Sequence, residues 1–257
     1  MGKNQKNITL YVNDNQLNST AIDRIVVELF NKRKKTKDGQ TVLLTGCSPL
    51  AGTTSTCIGL GIAVANSKRR TLVIDCDVRK ALKYKKLNEQ TTVGLSNYLL
   101  DDSVELQEVI YTTNIEDLYF IPCGDYLEKP TRVLCSEKME SLILKVQESF
   151  DCIIFDFPAL TIVPDAQILF HNVDGIILLA SLGETRKREI KEAKIKIAPY
   201  ADKYYGMIVN KIPLDMYRYS VQNYDYYFVN DSGEQKLNGR TAYKKYEKSL
   251  LEKEKKV

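Results

Sequence analysis

Three short stretches carry residue types whose spacing suits phosphate chemistry. The first is TVLLTG followed by CSPLAGTTST, an apolar run, a glycine turn and a helix start. Such a turn points successive backbone N–H groups, and the positive end of a helix dipole, at an anion. A complete phosphate loop would read G-K-[ST]; here it reads Gly52-Thr53-Thr54. Gly52 stands where the backbone must approach a phosphate closely, and Thr54 keeps the hydroxyl that ligates Mg²⁺. Thr53 replaces the lysine that bridges the β- and γ-phosphates. The second stretch is LVIDCDVRK, with Asp75 and Asp77. The third is CIIFDFPAL, with Asp156. Carboxylates at the carboxyl ends of central strands meet in one crevice beside the turn, and a hydrated Mg²⁺ is the usual occupant next to nucleotide phosphates.

The elements that must position these groups follow from hydrophobic periodicity. Apolar runs at 41–46, 71–75, 118–122, 152–156, 175–180 and 206–210 are short and continuous, as strands covered on both faces should be. Helix-period segments lie between them at 54–67, 95–100, 136–149 and 186–197. Strand and helix alternating in this way predict a doubly wound α/β fold with a mostly parallel sheet. Upstream, Ile22, Ile25, Val26, Leu29 and Phe30 form the stripe of an amphipathic helix over 18–35, with Asn18 or Ser19 as N-cap. Its apolar face is expected to pack on the domain or on a neighbouring subunit.

Composition bounds the rest. At 257 residues the chain holds one large domain, and a net charge of +4 without a basic stripe argues against nucleic acid. Of the six cysteines, none forms a C-x-x-C pair, and the single His171 leaves zinc without a ligand set. The thiols read as small buried hydrophobes in a reducing compartment. The start of the chain has no apolar h-region, Asn7 spoils a myristoylation motif, and no run of 18 apolar residues appears. The expected location is cytoplasmic, at the membrane only through a partner.

After Pro213 the pattern changes. MYRYSVQNYDYYFVND brings Tyr217, Tyr219, Tyr224, Tyr226 and Tyr227 together, then gives way to a Lys/Glu-rich end. The chain therefore divides into an N-terminal segment and helix (1–36), a core domain (37–214) and a Tyr-rich tail (215–257). Tyrosines spaced this way with no burying period suit either a contact surface or phosphorylation, each phosphate adding about −1.5 to −2 charge.

From about Ile8 to Tyr227 the sequence resembles the bacterial tyrosine kinase (BY-kinase) family, in particular its stand-alone members from capsule systems. The family's second Walker motif, three apolar residues then D-x-D-x-R, is matched by residues 72–79. Its Walker B pattern is matched by IIFDFPA with Asp156 and Pro158. VPDAQIL with Asp165, DGIILLASLGETRK, and GMIVNK with Asn210 fall where the family has similar segments.

The resemblance implies a P-loop NTPase fold shared with ParA/MinD-type ATPases. It implies an ATP/ADP site formed by Pro49, Gly52, Thr53, Thr54, Ser55, Arg79 and Asn210. It also implies Mg²⁺ held by Thr54, Asp77 and Asp156, catalytic carboxylates at Asp75 and Asp77, and phosphoacceptors at the five tail tyrosines. A transmembrane polysaccharide chain-length or activator protein, a fully equipped kinase paralogue and a homo-oligomer are the implied partners. Two departures stand out: Leu50, Ala51 and Thr53 replace the usual Gly, Glu and Lys, and the helix's E-x-x-R-x-x-R motif survives only as Arg24, flanked by Ala21 and Val27. Three readings follow: a pseudokinase or weakened kinase regulating capsular or exopolysaccharide biosynthesis or export, an active tyrosine autokinase, and a ParA/MinD-type ATPase.

Overall fold

A computed structural model describes residues 7–10, 16–32, 38–79, 93–213 and 216. The five tail tyrosines lie outside these residues. Eight strands form one sheet: β1 (Asn7–Ile8), β2 (Gln40–Gly46), β3 (Thr71–Asp75), β4 (Tyr111–Thr113), β5 (Leu118–Ile121), β6 (Cys152–Phe157), β7 (Gly175–Ser181) and β8 (Tyr204–Asn210). Their spatial order is β1-β4-β5-β3-β6-β2-β7-β8, and every pairing is parallel except β4 with β5. The fold is the doubly wound α/β architecture.

The strands form because both of their faces are covered. Every residue of β2, β3, β6 and β7 is buried. Alternate residues feed two separate cores, one on each side of the sheet. Leu43, Leu72, Ile74, Ile153 and Phe155 join one, while Val42, Leu44, Val73, Cys152 and Ile154 join the other. This is the period-2 alternation of a strand applied to an apolar run.

Helices α1 (Gln16–Asn31) and α2 (Thr53–Asn66) pack together on one side. Val26 and Leu29 of α1 are buried, with Ile22, Ile25 and Phe30 packed beside them. The apolar face of α1 thus covers its own domain. The helix starts at Gln16, so Asn18 and Ser19 lie inside its first turn and are not its N-cap. That correction reflects the usual latitude of helix boundaries.

Around the remaining strands lie α3 (Leu95–Leu100), α4 (Leu106–Val109), α5 (Pro130–Leu134), α6 (Glu137–Ser149), α7 (Asp165–Ile168) and α8 (Lys187–Ile197). All six cysteines are free thiols; five are buried and Cys135 is exposed. No helix among the described residues is long and apolar enough to cross a membrane.

Candidate nucleotide site

Strands β3, β6 and β2 lie side by side, so their carboxyl ends open onto one crevice. β2 ends at Gly46, and the chain turns through residues 47–52 into α2. That turn is anchored on three sides. Cys47 N–H donates to the Leu179 carbonyl at 2.7 Å, and the Thr161 hydroxyl to the Cys47 carbonyl at 2.8 Å. Ser48 Oγ and Thr185 Oγ1 share a 2.7 Å hydrogen bond, and Asn210 Nδ2 donates to the Ala51 carbonyl at 2.9 Å.

The turn closes on Gly52, at φ 88° and ψ 26°, a left-handed conformation that glycine adopts without steric cost. A Cβ there would lie 2.2 Å from Asn210 Nδ2, so both the conformation and the space require glycine. Gly52 is also the N-cap of α2 and has no side chain to satisfy the N–H groups of the first turn. Those donors, with the helix dipole behind them, suit an anion. Leu50 also lies at positive φ (60°), yet it is a branched residue and 84% exposed.

A cleft of about 470 Å³ opens above this turn. It is lined by Pro49, Gly52, Thr53, Thr54 and Ser55 from the turn and helix, by Asp77 and Arg79 beyond β3, and by Asp156 at the end of β6. Ser48, Ile162 and Val163, which sequence reasoning did not single out, line it as well. Thr53 Oγ1 folds back toward the end of β2, 3.3 Å from where a Cβ on Gly46 would sit.

Asp75 and Asn210 do not line the cleft; they brace it from behind. Asp75 and Asp156 are register partners on adjacent parallel strands and both are buried. Asp75 Oδ1, however, accepts the Asp77 backbone N–H at 3.0 Å. Asp75 thus lies beside Asp156 beneath the cleft, and one of its oxygens shapes the bend that carries Asp77. Among the described residues, no three His, Cys, Asp or Glu side chains are grouped to hold a metal ion. Two carboxylates and a hydroxyl still fit Mg²⁺, which keeps several waters and binds through one or two carboxylates plus phosphate.

The Cys57 thiol on α2 reports the electrostatics beneath the cleft. Burial pushes its pKa well above the ordinary thiol value, and the charge of Asp156 and a hydrogen bond to it push the same way. Among the described residues lining the cleft, Arg79 is the only cation. Its Nε donates to Asp165 Oδ2 at 2.6 Å and its Nη2 to Asp165 Oδ1 at 2.9 Å. Sequence reasoning noted Asp165 only as part of a similar segment. Its signal was an acidic residue after Pro164 at the start of a helical turn, a placement that leaves a carboxylate available to a neighbouring chain segment.

Comparisons with known proteins show what the chain resembles. A family model described as an AAA domain matches residues 50–180. Tyrosine-protein kinase YwqD of Bacillus subtilis (strain 168) is 30% identical over 197 residues, covering 77% of this chain and 81% of that protein. The crystal structure of the chimerical protein CapA2B2 superimposes with a TM-score of 0.69 at 25% identity, covering 75% of this chain and 84% of the other. The septum site-determining protein MinD complexed with Mg-ADP, from Pyrococcus horikoshii OT3, superimposes at 0.54 with 19% identity, over 70% of this chain and 76% of that one, a likeness of fold alone.

Proposed function

We propose a function from one premise: the chain belongs to the bacterial tyrosine kinase (BY-kinase) family, and it is a nucleotide-binding member whose phosphotransfer is weakened or lost. The observation that carries this reading is the lining of the cleft. Gly52, Thr54, Asp77 and Asp156 all line it, a set of groups that suits a Mg²⁺-nucleotide, and Thr53, at the position of the motif lysine, lines it too.

Mg·ATP, when bound, supplies the transferable phosphoryl group and the metal charge that stabilises its departure. The chain's own residues do the holding. Backbone N–H groups from Gly52 into α2 would bind the phosphates, and the Thr54 hydroxyl with the Asp77 and Asp156 carboxylates would hold the metal. Asp75 keeps Asp77 in place through its backbone. Thr53 offers one neutral hydrogen bond where a full charge is wanted. Losing one preorganised charge stabiliser lowers a rate by roughly 10²–10³.

In this reading the protein regulates capsular or exopolysaccharide biosynthesis or export from the cytoplasmic face, through a transmembrane activator or chain-length partner. Its tail tyrosines are phosphorylated slowly by itself or by a kinase paralogue. An active tyrosine autokinase is the second reading, and the retained Thr54, Asp77 and Asp156 in the cleft favour it.

One experiment separates them. Wild type and Thr53→Lys are incubated with Mg·ATP, and phosphotyrosine is followed by mass spectrometry across the tail. The expected result is binding by both proteins, with phosphotyrosine accumulating about 100-fold or more slowly in wild type. Equal rates would show that the chain is an active kinase.

A further inference from the structure

We propose that Arg79, clamped by Asp165 and Thr131, supplies the positive charge at the phosphate cleft that Thr53 does not, with Asp165 and Thr131 as its positioning residues. This inference rests on the nucleotide reading above and concerns how binding survives without the lysine.

The clamp joins three separate parts of the chain. Arg79 lies on the bend leaving β3, two residues beyond Asp77. Asp165 opens α7 and is fully buried. Thr131, near the start of α5, donates its hydroxyl to Asp165 Oδ1 at 2.9 Å, and α5 packs against α7. Both oxygens of Asp165 are therefore committed, and the guanidinium is held edge-on in a two-bond fork. A fork of this kind fixes the plane of the group as well as its position.

The two partners are unequally exposed. The Asp165 side chain is 1% exposed and that of Arg79 is 34% exposed, on the cleft side. The fork engages Nε and Nη2 only, so Nη1, at the other edge of the plane, keeps both of its N–H donors outside it. A pair serving only to neutralise charge in the core would bury both members. Here the acid is the anchor and the cation is presented.

Charge balance points the same way. Asp77 and Asp156 line the cleft with two carboxylates, and a polyphosphate entering it brings more negative charge. The buried Asp165 balances Arg79 in net charge, but the guanidinium is the end of the pair that lines the cleft, so it offsets part of that negative charge with a side chain the clamp has already ordered. Arg79 does not thereby take over the lysine's part in transfer, since its fork is anchored to α7 and cannot follow a moving phosphoryl group.

The test measures affinity, not turnover. Arg79→Gln alone would strand the buried Asp165 carboxylate, so it is made together with Asp165→Asn as a neutral hydrogen-bonding pair. Mg·ATP affinity is measured by titration calorimetry, and AMP affinity by displacement of a fluorescent ATP analogue. The neutral pair should weaken Mg·ATP roughly 10- to 100-fold and AMP by less than about 3-fold. Adding Thr53→Lys to the neutral pair should restore Mg·ATP affinity to within about 3-fold of wild type, because a lysine replaces the missing charge from the other wall.

A folded neutral pair that binds Mg·ATP like wild type overturns the inference and leaves the nucleotide reading standing. So does an equal loss for ATP and AMP, or a failure of Thr53→Lys to rescue, since a purely structural clamp would behave in those ways. Absence of Mg·ATP binding by wild type overturns both. If the neutral pair does not fold, Thr131→Val loosens the clamp with both charges kept. It should then weaken Mg·ATP by about 3- to 10-fold without changing AMP, and wild-type affinity for Mg·ATP overturns the inference.

Discussion

Asn210 at the end of β8 reaches the phosphate turn directly, its Nδ2 donating to the Ala51 carbonyl at 2.9 Å across 159 positions of sequence. The same amide nitrogen occupies the space that a Cβ on Gly52 would need. Gly52→Ala should therefore destabilise the protein by about 1–2 kcal/mol through backbone strain alone, with a further loss from displacing Asn210. Asn210→Ala should cost about 1 kcal/mol. Because both act on one contact, the double variant should cost less than the sum, by about 0.5 kcal/mol or more. Urea denaturation of the four proteins measures this coupling, and strict additivity would show that the contact does not hold the turn.

Leu50 makes an opposite case. It holds a left-handed φ of 60° and exposes most of its side chain to water at the mouth of the cleft. Leu50→Gly removes a conformational cost of about 1–2 kcal/mol and adds back about 0.5–1 kcal/mol of unfolded-state entropy. The expected outcome is a net gain of about 0.5–1 kcal/mol, read as a higher denaturation midpoint with an unchanged slope. A lower midpoint would show that Leu50 gains more from contacts at the rim than its backbone loses.

Magnesium should be obligatory for nucleotide binding. The cleft presents two carboxylates, and its only described cation is already committed in part to Asp165. Adding EDTA should weaken ATP binding at least about 10-fold, since the phosphates would otherwise face Asp77 and Asp156 directly. Asp77→Asn should narrow the difference between the two conditions. Calorimetric titration with and without the metal checks both statements.

Thiol reactivity gives a test of packing that is independent of any ligand. Burial pushes the Cys47 thiol up to about 11 and the Cys57 thiol well above its ordinary value, so neither forms a thiolate at neutral pH. Cys135, at the end of α5, is the exposed one. A chromogenic disulfide reagent at pH 8 should titrate one thiol rapidly in the native protein and all six after denaturation. Rapid reaction of a second thiol in the native state would mean that the core opens around the phosphate turn.

Much of this architecture was legible because its signals are local. The central strands are apolar on both faces, and the observed β3 and α3 end where their periodicity does. The short pieces were not legible. β1 has two residues and β4 three, too few to show a period, and their pairing joins Asn7 to Thr112. At the site, the carboxylates were legible because they stand at the ends of apolar strands, β3 closing on Asp75 and β6 carrying Asp156. The capture of the Asp77 backbone N–H by Asp75 was not read, although aspartate does this routinely in turns. The Arg79–Asp165 clamp spans 86 positions, a distance over which side-chain pairing leaves no periodic trace in one sequence.

Helix α2 lies flush on the sheet where Gly61 meets β3, since a Cβ on Gly61 would come within 2.8 Å of Val73 Cγ2. The element that begins at the phosphate turn is thus seated on the strand that leads to Asp75 and Asp77, and hydrophobic packing rather than any bound molecule sets the spacing between them. The seat of the helix is therefore set some eight residues beyond position 53, so the residue that stands there can differ in charge while the turn and the two carboxylate-bearing strands keep their spacing.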